Sequence, residues 1–416
     1  MNILNERQPQ HNARVFPSTG FKTIPDSEIF EEENWPWYTP QSFYPVHIGE
    51  ILHSQYQVLY KLGYGTTATV WLCQDLRHNK YVCMKAMVCD YSSVQREIEA
   101  YEALSKSACN EKQFVRRALD HFVLIQNELS YHFLIHEPLG VNLQYIISMA
   151  RGRLPISGIR PIIVPMVVAL HYIHDAQVIH ADLQARNILF SIGDSTVLKD
   201  GEEAELKQPS SRKIFGDTVI FETRDLPGPI ERWVQKGSQP ILCDFGEART
   251  GKDQYTEIIQ PPTYRAPEVF LHLPWGKAVD VWNFGCMVWH LIFGEQLFSR
   301  EDALDEDTAD VNQLAQMYAL LGPPPPKLLR DSGPRASEFF NEDGSAKGAV
   351  PSETLESLLE SSLERVKETM TAEESGAFLN FIRKSLTWTA EERASVSDLV
   401  NDPWVLSSVS KFRSGT

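Results

Sequence analysis

Between Tyr56 and Ile135 the apolar residues recur at strand spacing, and from about residue 142 onward they recur at helix spacing. The change falls at Pro138-Leu139-Gly140. Period two places alternate side chains on one face of a sheet, whereas i, i+3, i+4 spacing lines one stripe of a helix. A chain that writes its strands first and its helices second folds as α+β, with the two kinds segregated. The strand-like runs are Tyr56–Tyr60, Thr69–Cys73, Tyr81–Met87, Phe122–Ile125 and His132–Ile135, with a helix over 93–106 whose Ile98, Tyr101 and Leu104 share a face. They predict a small, largely antiparallel five-stranded lobe with one helix. Helices over 142–151, 158–174, 278–293, 309–320, 352–370 and 373–386 predict a larger, mainly helical lobe.

Other stretches break this pattern. Residues 1–30 are polar and unpatterned and read as a flexible tail, as do 409–416. Residues 31–55 carry Trp35, Trp37, Tyr38, Phe43 and Tyr44, enough ring surface to bind this lead-in to the lobe that follows. Residues 191–240 read as a surface insertion in the helical half, with strand-like pieces at Thr218–Phe221 and Trp233-Val234. The loop 323–352, opening on four prolines, reads as extended.

A chain of 416 residues suits two lobes. Its net charge of −16 argues against nucleic-acid binding, which calls for a basic face, and favours basic partners. The six cysteines are scattered without a CxxC pair, which predicts reduced thiols and an intracellular protein of cytoplasm or nucleus. The longest apolar region, Ile162–Ile173, reads as too short for a bilayer, so no membrane is expected.

Several polar residues sit where chemistry would want them. Asp182 and Asn187 lie five positions apart (187 − 182) on a polar loop between apolar segments, a carboxylate beside a side-chain amide. A phosphoryl transfer needs such a base near the attacking hydroxyl and an oxygen ligand for magnesium. Gly63-Tyr64-Gly65, within the run Leu62 to Val70 that includes Ala68, gives a glycine turn between strands, where backbone amides can approach phosphates. Lys85 sits inside an apolar strand, and a lysine there demands an anion, with Glu97 the natural partner and Glu99 a substitute. Asp244 follows a short apolar strand and with Asn187 supplies a second oxygen ligand. Glu268 and Arg393, each near the start of a helical segment, suit a buried bidentate pair.

The ordered set Gly63-x-Gly65-x-x-Ala68-x-Val70, Lys85, Glu97, His180-x-Asp182-x-x-x-x-Asn187, Asp244-Phe245-Gly246, Ala266-Pro267-Glu268 and Asp280-x-Trp282-x-x-Gly285 resembles the eukaryotic protein kinase family. Within it the chain looks most like fungal relatives of the SR-protein kinases, on Asn34-Trp35-Pro36-Trp37-Tyr38, the run Leu59 to Gly65, the insertion before Cys243-Asp244-Phe245-Gly246, and Tyr264 to Glu268. The resemblance implies a bilobal fold, an N-lobe over 56–137 and a C-lobe over 138–408 that carries the insertion. It implies a monomeric serine/threonine kinase using ATP and Mg2+ on protein substrates, arginine–serine-rich ones among them. Asp182 then resembles the catalytic base, Lys85 the phosphate anchor paired to Glu97, and Asn187 and Asp244 the magnesium ligands. Leu62, Gly63, Tyr64, Gly65, Ala68, Val70, His136, Glu137 and Leu139 surround the nucleotide in such an enzyme. Glu268, Asp280 and Arg393 are structural.

Three positions depart from the family pattern. Ala181 replaces an arginine that would receive an activation-loop phosphate, so phosphorylation of Tyr255 or Thr256 is not expected to be needed. Gln184 replaces the lysine that supports the transferring phosphate. Pro261 replaces a threonine that contacts the base. These leave two rivals standing: a pseudokinase that binds nucleotide or partner without useful transfer, and a small-molecule phosphotransferase. Two acidic clusters, Glu301 to Asp310 and Glu353 to Glu368, read either as solvated faces or as docking surfaces for basic substrates.

Overall fold

The computed structural model describes residues 12–89, 91–109, 111–150, 152–216, 218–225, 227–300 and 303–407. The 409–416 tail, the start of the 1–30 tail, and Glu301 and Asp302 of the first acidic cluster lie outside the described residues. The chain divides into two compact units. One takes the chain up to Tyr101 with Arg116–Val141 and Phe190–Gln239, and the other takes Glu102–Val115, Asn142–Leu189 and the remainder from Pro240.

The first unit is built on a six-stranded sheet of β1 (Ile51–Leu52), β2 (Tyr56–Tyr64), β3 (Ala68–Asp75), β4 (Lys80–Met87), β5 (Asp120–Gln126) and β6 (Leu129–His136). Its order is β1-β2-β3-β4-β6-β5, and every pairing is antiparallel. The two-residue β1 was too short to leave a period, so the sequence shows five strands. One sheet face buries Val58, Trp71, Met84, Phe122 and Phe133 in a shared core, as alternation requires. Rings of the lead-in cover this core: Tyr44 meets Tyr131 and Phe133 edge-on, at centroid distances of 5.5 and 5.2 Å. Helix α1 (Ser92–Lys106) buries Val94, Glu97, Ile98, Tyr101 and Leu104, one stripe at helical spacing.

The insertion belongs to this unit and not to the helical one. Phe221 joins the sheet core, and the helix Thr196–Lys207 lies on β2, with Gly201 so close to Tyr60 that a Cβ would collide with the phenol ring. A hairpin pairs Arg212–Phe215 with Thr218–Phe221. Trp233 ends a short helix, Ile230–Trp233, and not a strand. The described part of the N-terminal tail, though mostly exposed, is tied to this unit. Ile24 is buried, its N–H donates to the Arg212 carbonyl, and the Arg14 guanidinium meets Glu202 at 2.9 Å.

Charged pairs fasten these pieces to the sheet. Lys61 of β2, only 1% exposed along its side chain, reaches Glu32 and, at 3.3 Å, Glu31 of the lead-in. It also donates to the Phe221 carbonyl of the insertion at 3.0 Å. Lys213 of the hairpin donates to both carboxylate oxygens of Glu33 at 2.9 Å. Burial raises the Glu32 pKa, and the Lys61 charge works against that rise.

The second unit is helical. Ala278–Phe293 is apolar almost all round and runs through its core, ending at Gly294, whose φ of 72° suits a residue without a Cβ. Ile156–Asp175 packs against Val396–Val400 and Pro240–Leu242. At 20 residues it is long and apolar enough to cross a bilayer by length and composition, contrary to the shorter stretch read from sequence. Its buried residues, among them Ile159, Ile163, Val167 and Leu170, face protein as in any core helix. The proline run does not stay extended: Pro326 opens a helix to Asp331, the position where a missing N–H does no harm.

Candidate active site

In the first unit β2 and β3 turn back on each other at residues 65–67. Gly63 stands opposite Val70, with a register shift between Lys61 and Gly63. The Gly65 N–H donates to the Ala68 carbonyl at 2.8 Å. No atom lies within 4 Å of a Cβ built on Gly63 or Gly65, so the turn has open space beside its backbone. Tyr64 is exposed, Leu62 and Val70 half-buried, and Ala68 buried. Val70 pairs across to Lys85 on β4. The Lys85 ammonium donates to both Glu97 oxygens, at 2.9 and 2.7 Å. The Glu97 carboxylate is nearly sealed from solvent, whereas Lys85 keeps 14% of its side chain exposed. Glu99 instead accepts from Gln95 on the outer face of α1.

His136, at the end of β6, turns its side chain inward. Its side chain is fully buried, its Nδ1 lies 2.9 Å from the Arg117 carbonyl, and its ring meets Tyr101 at 5.2 Å. Burial, then the Arg116 charge, pushes its pKa well below the ordinary imidazole value, which keeps the ring neutral. The side chain is a core group. Glu137 is exposed with Arg117 at 4.0 Å, and Leu139 is half-buried.

In the second unit the loop after Ile179 is held by its backbone. Asp280, fully buried on the core helix, accepts from the His180 N–H at 2.8 Å, the Ala181 N–H at 2.9 Å and the His174 ring at 2.9 Å. Burial alone would raise its pKa, but the His174 hydrogen bond and charge hold the carboxyl below its usual range. Asn283, one turn on, bonds both the N–H and the carbonyl of Leu183. These clamps hold Ala181 at φ 65°, a left-handed backbone that turns Asp182 out of the core. The sequence reading named Asp280 but passed over Asn283, whose three-residue spacing from it on one helix face was the available signal.

Asp182 is then gripped at both oxygens: Oδ1 accepts from Gln184 Nε2 at 2.6 Å, and Oδ2 from Asn187 Nδ2 at 2.9 Å. Burial raises its pKa, opposed by the His180 charge and the Gln184 hydrogen bond. Because the Asn187 amide nitrogen is spent on Asp182, its Oδ1 is the end left for a cation. The Cys243 N–H donates to the Asn187 carbonyl at 2.8 Å, which sets the exposed Asp244, at φ 64°, beside that residue. An amide oxygen and a carboxylate form a hard-oxygen pair of the kind magnesium prefers. Phe245 anchors the turn, buried against the His180 ring at 5.1 Å.

The segment that follows is fixed without any added charge. Tyr255 exchanges backbone hydrogen bonds with Trp275, stacks on its indole at 5.1 Å, and donates its hydroxyl to the Thr250 carbonyl at 2.5 Å. Tyr255 is buried, while Thr256 is exposed. Pro261 is half-buried ahead of a short helical turn, Pro262–Tyr264. Beyond it, Arg393 makes a two-pronged bond to Glu268 at 2.7 and 3.0 Å, with both side chains sealed from solvent. The same two terminal nitrogens also donate to the Ala278 and Thr387 carbonyls, while the buried Nε–H has no partner among the described residues.

The protein kinase domain profile matches residues 56–211 and 234–405. The chain is 33% identical over 407 residues to a serine/threonine protein kinase of Aspergillus fumigatus, covering 96% of this chain and 97% of that one. It is 25% identical over 402 residues to the serine/threonine-protein kinase SRPK of Physarum polycephalum, covering 90% and 91%.

Proposed function

Because the chain belongs to the protein kinase domain family, on its serine/threonine side, we propose that it transfers the γ-phosphate of ATP to serine or threonine hydroxyls of basic, arginine–serine-rich proteins. The observation that carries this reading is the Asp182 carboxylate, aimed through both oxygens by Gln184 and Asn187. In the step we assign, the hydroxyl O–H breaks as its proton passes to Asp182, the oxygen bonds to the γ-phosphorus, and the bond from that phosphorus to ADP breaks. Lys85, oriented by Glu97, would hold phosphate oxygens, and the turn at Gly63 to Ala68 would cover them with backbone amides. Asn187 and Asp244 would hold Mg2+, which when bound offsets charge on the phosphates.

Gln184 sets the rate in this reading. A neutral amide in place of an ammonium gives up about 1.5–3 kcal/mol of charge-assisted bonding, which at ~1.4 kcal/mol per tenfold is on the order of ten- to a hundredfold. This reading therefore expects a slow kinase and not a dead one, supported by the presence in the sequence of the residues assigned as base and metal ligands. The preference for basic substrates is supported by the net charge of −16 and by exposed Asp307, Glu360 and Glu364. The first acidic cluster contributes less than its composition suggests, since Glu306 and Asp310 pair with Arg300 and Asp305 caps its helix.

The test is a radiolabel assay with γ-labelled ATP and magnesium on two peptides, one of arginine–serine repeats and one with glutamine for each arginine. Wild type should label the first peptide well above the second, and Asp182→Ala should abolish both signals while binding nucleotide. Equal labelling of the two peptides would remove the basic-substrate preference. Wild-type labelling no higher than that of Asp182→Ala would leave the pseudokinase reading.

A further inference from the structure

Away from these residues, Cys109, Glu111 and His171 bring a thiol, a carboxylate and an imidazole together, their ligand atoms all within 4.8 Å of one another. His171 stands on the helix Ile156–Asp175, and the other two lie on the loop that leaves α1. We propose that this trio binds a borderline-soft divalent cation, zinc by its donor set, with solvent completing the shell.

The chemistry favours that ion over a hard one. Thiolate and imidazole select zinc among the common divalent ions, and a carboxylate is an ordinary third ligand. In a tetrahedral site with bonds of about 2.0–2.3 Å, donor atoms stand roughly 3.3–3.8 Å apart. The trio therefore needs changes in separation of up to about 1.5 Å, from half-exposed side chains, two of them on a surface loop. One contact is already tighter than that: His171 Nδ1 lies 2.9 Å from a Glu111 oxygen. The side chains of His171 and Glu111 keep 35% and 46% of their exposure, so water can reach the remaining coordination positions.

The setting is also unlike that of a packing cysteine. Cys73, Cys83, Cys243 and Cys286 are buried, whereas Cys109, like Cys89, is half-buried. Its approach to the helix is held from the loop side: the Cys109 N–H donates to Ser107 Oγ at 3.1 Å, and that hydroxyl donates to Asp175 at 3.1 Å. The loop is thus already tied to the helix that carries His171. A cation here would add a second tie, linking folding stability to metal because the unfolded chain lacks the gathered donors.

The test uses the full chain, stripped of metal with a chelator and titrated with Co2+ as a spectroscopic stand-in for zinc. One equivalent should bind with a thiolate-to-cobalt charge-transfer absorption, and added Zn2+ should displace it. Zn2+ should also raise the melting temperature of wild type. Cys109→Ser should lose the thiolate absorption, and it and His171→Ala should each weaken binding at least tenfold while melting like metal-free wild type. Glu111→Gln should weaken binding but keep the thiolate absorption. Cobalt bound to oxygen ligands alone, as at Asp244 and Asn187, gives no such absorption, so the two sites separate. No thiolate absorption in wild type, or an absorption that persists in Cys109→Ser, would overturn the proposal.

Discussion

At the scale of single residues, Gln184 and Asp182 set the pH behaviour together. Burial raises the Asp182 pKa, so as pH falls this base takes up its proton, and stops acting, earlier than an ordinary aspartate would. The acid limb of the rate profile should therefore lie above the normal aspartate range. Gln184→Lys would bring a cation to the carboxylate, favour its charged form and pull that limb to lower pH. The same change should raise kcat by roughly ten- to a hundredfold, and rates measured from pH 4 to 8 would check both effects. Asp280 offers a second handle. Asp280→Asn keeps the shape but turns one acceptor into a donor facing a backbone N–H, at about 1–3 kcal/mol for the unsatisfied group. A lowered melting temperature and a loss of activity are expected together, since Ala181 and Asp182 hang on that carboxylate. Residue identity was legible here because each group stands on a short motif. The inward turn of His136 was not, because an imidazole at a strand end looks the same in sequence whichever way it faces.

At the scale of elements, the segment from Thr250 to Trp275 carries its own fastening. Tyr255 is buried against Trp275 with its hydroxyl engaged, so it is no open phosphorylation target, and the exposed Thr256 has no arginine at position 181 to receive a phosphate. Replacing both, as Tyr255→Phe with Thr256→Ala, should leave activity within a few-fold of wild type, the phenol losing its hydrogen bonds to the Thr250 carbonyl and the Lys252 N–H, each worth about 1 kcal/mol. Trp275→Ala should instead lower the melting temperature and the activity, at about 3–5 kcal/mol for a buried tryptophan. The strands and the long helices were legible because their inward faces are apolar at a fixed period. The insertion helix Thr196–Lys207 was hidden for a physical reason. Its inward face includes Glu202 and Glu205, satisfied by Tyr81 and Arg14 in one case and by Ser210 and Arg224 in the other. Carboxylates on the buried stripe erase the hydrophobic period that would announce a helix. Lys61 teaches the same lesson. A lysine within a strand signals function at Lys85, yet the more deeply buried lysine is Lys61, and its work is to hold the lead-in and the insertion to the sheet.

At the scale of the whole molecule, single buried ion pairs hold long stretches of chain in place. Arg393→Met would leave the Glu268 carboxylate sealed and uncompensated, a loss of about 3–5 kcal/mol against a total of about 5–15 kcal/mol for a folded domain. A steep fall in the melting temperature should follow, and the double variant Arg393→Met with Glu268→Leu should recover part of it. The α+β division was readable from periodicity alone. The grouping of Phe190–Gln239 with the sheet was not, because nothing local in that polar stretch says which surface it will cover. That grouping bears on how the protein is prepared. The kinase domain match starts at residue 56, an inviting place to begin a shortened gene. A product cut there would strip Lys61 of Glu31 and Glu32 and Lys213 of Glu33, two ammonium groups stranded in the interior at once. It should express poorly, melt early and fall to proteases faster than a product begun at residue 12, even though every residue assigned to catalysis would still be present.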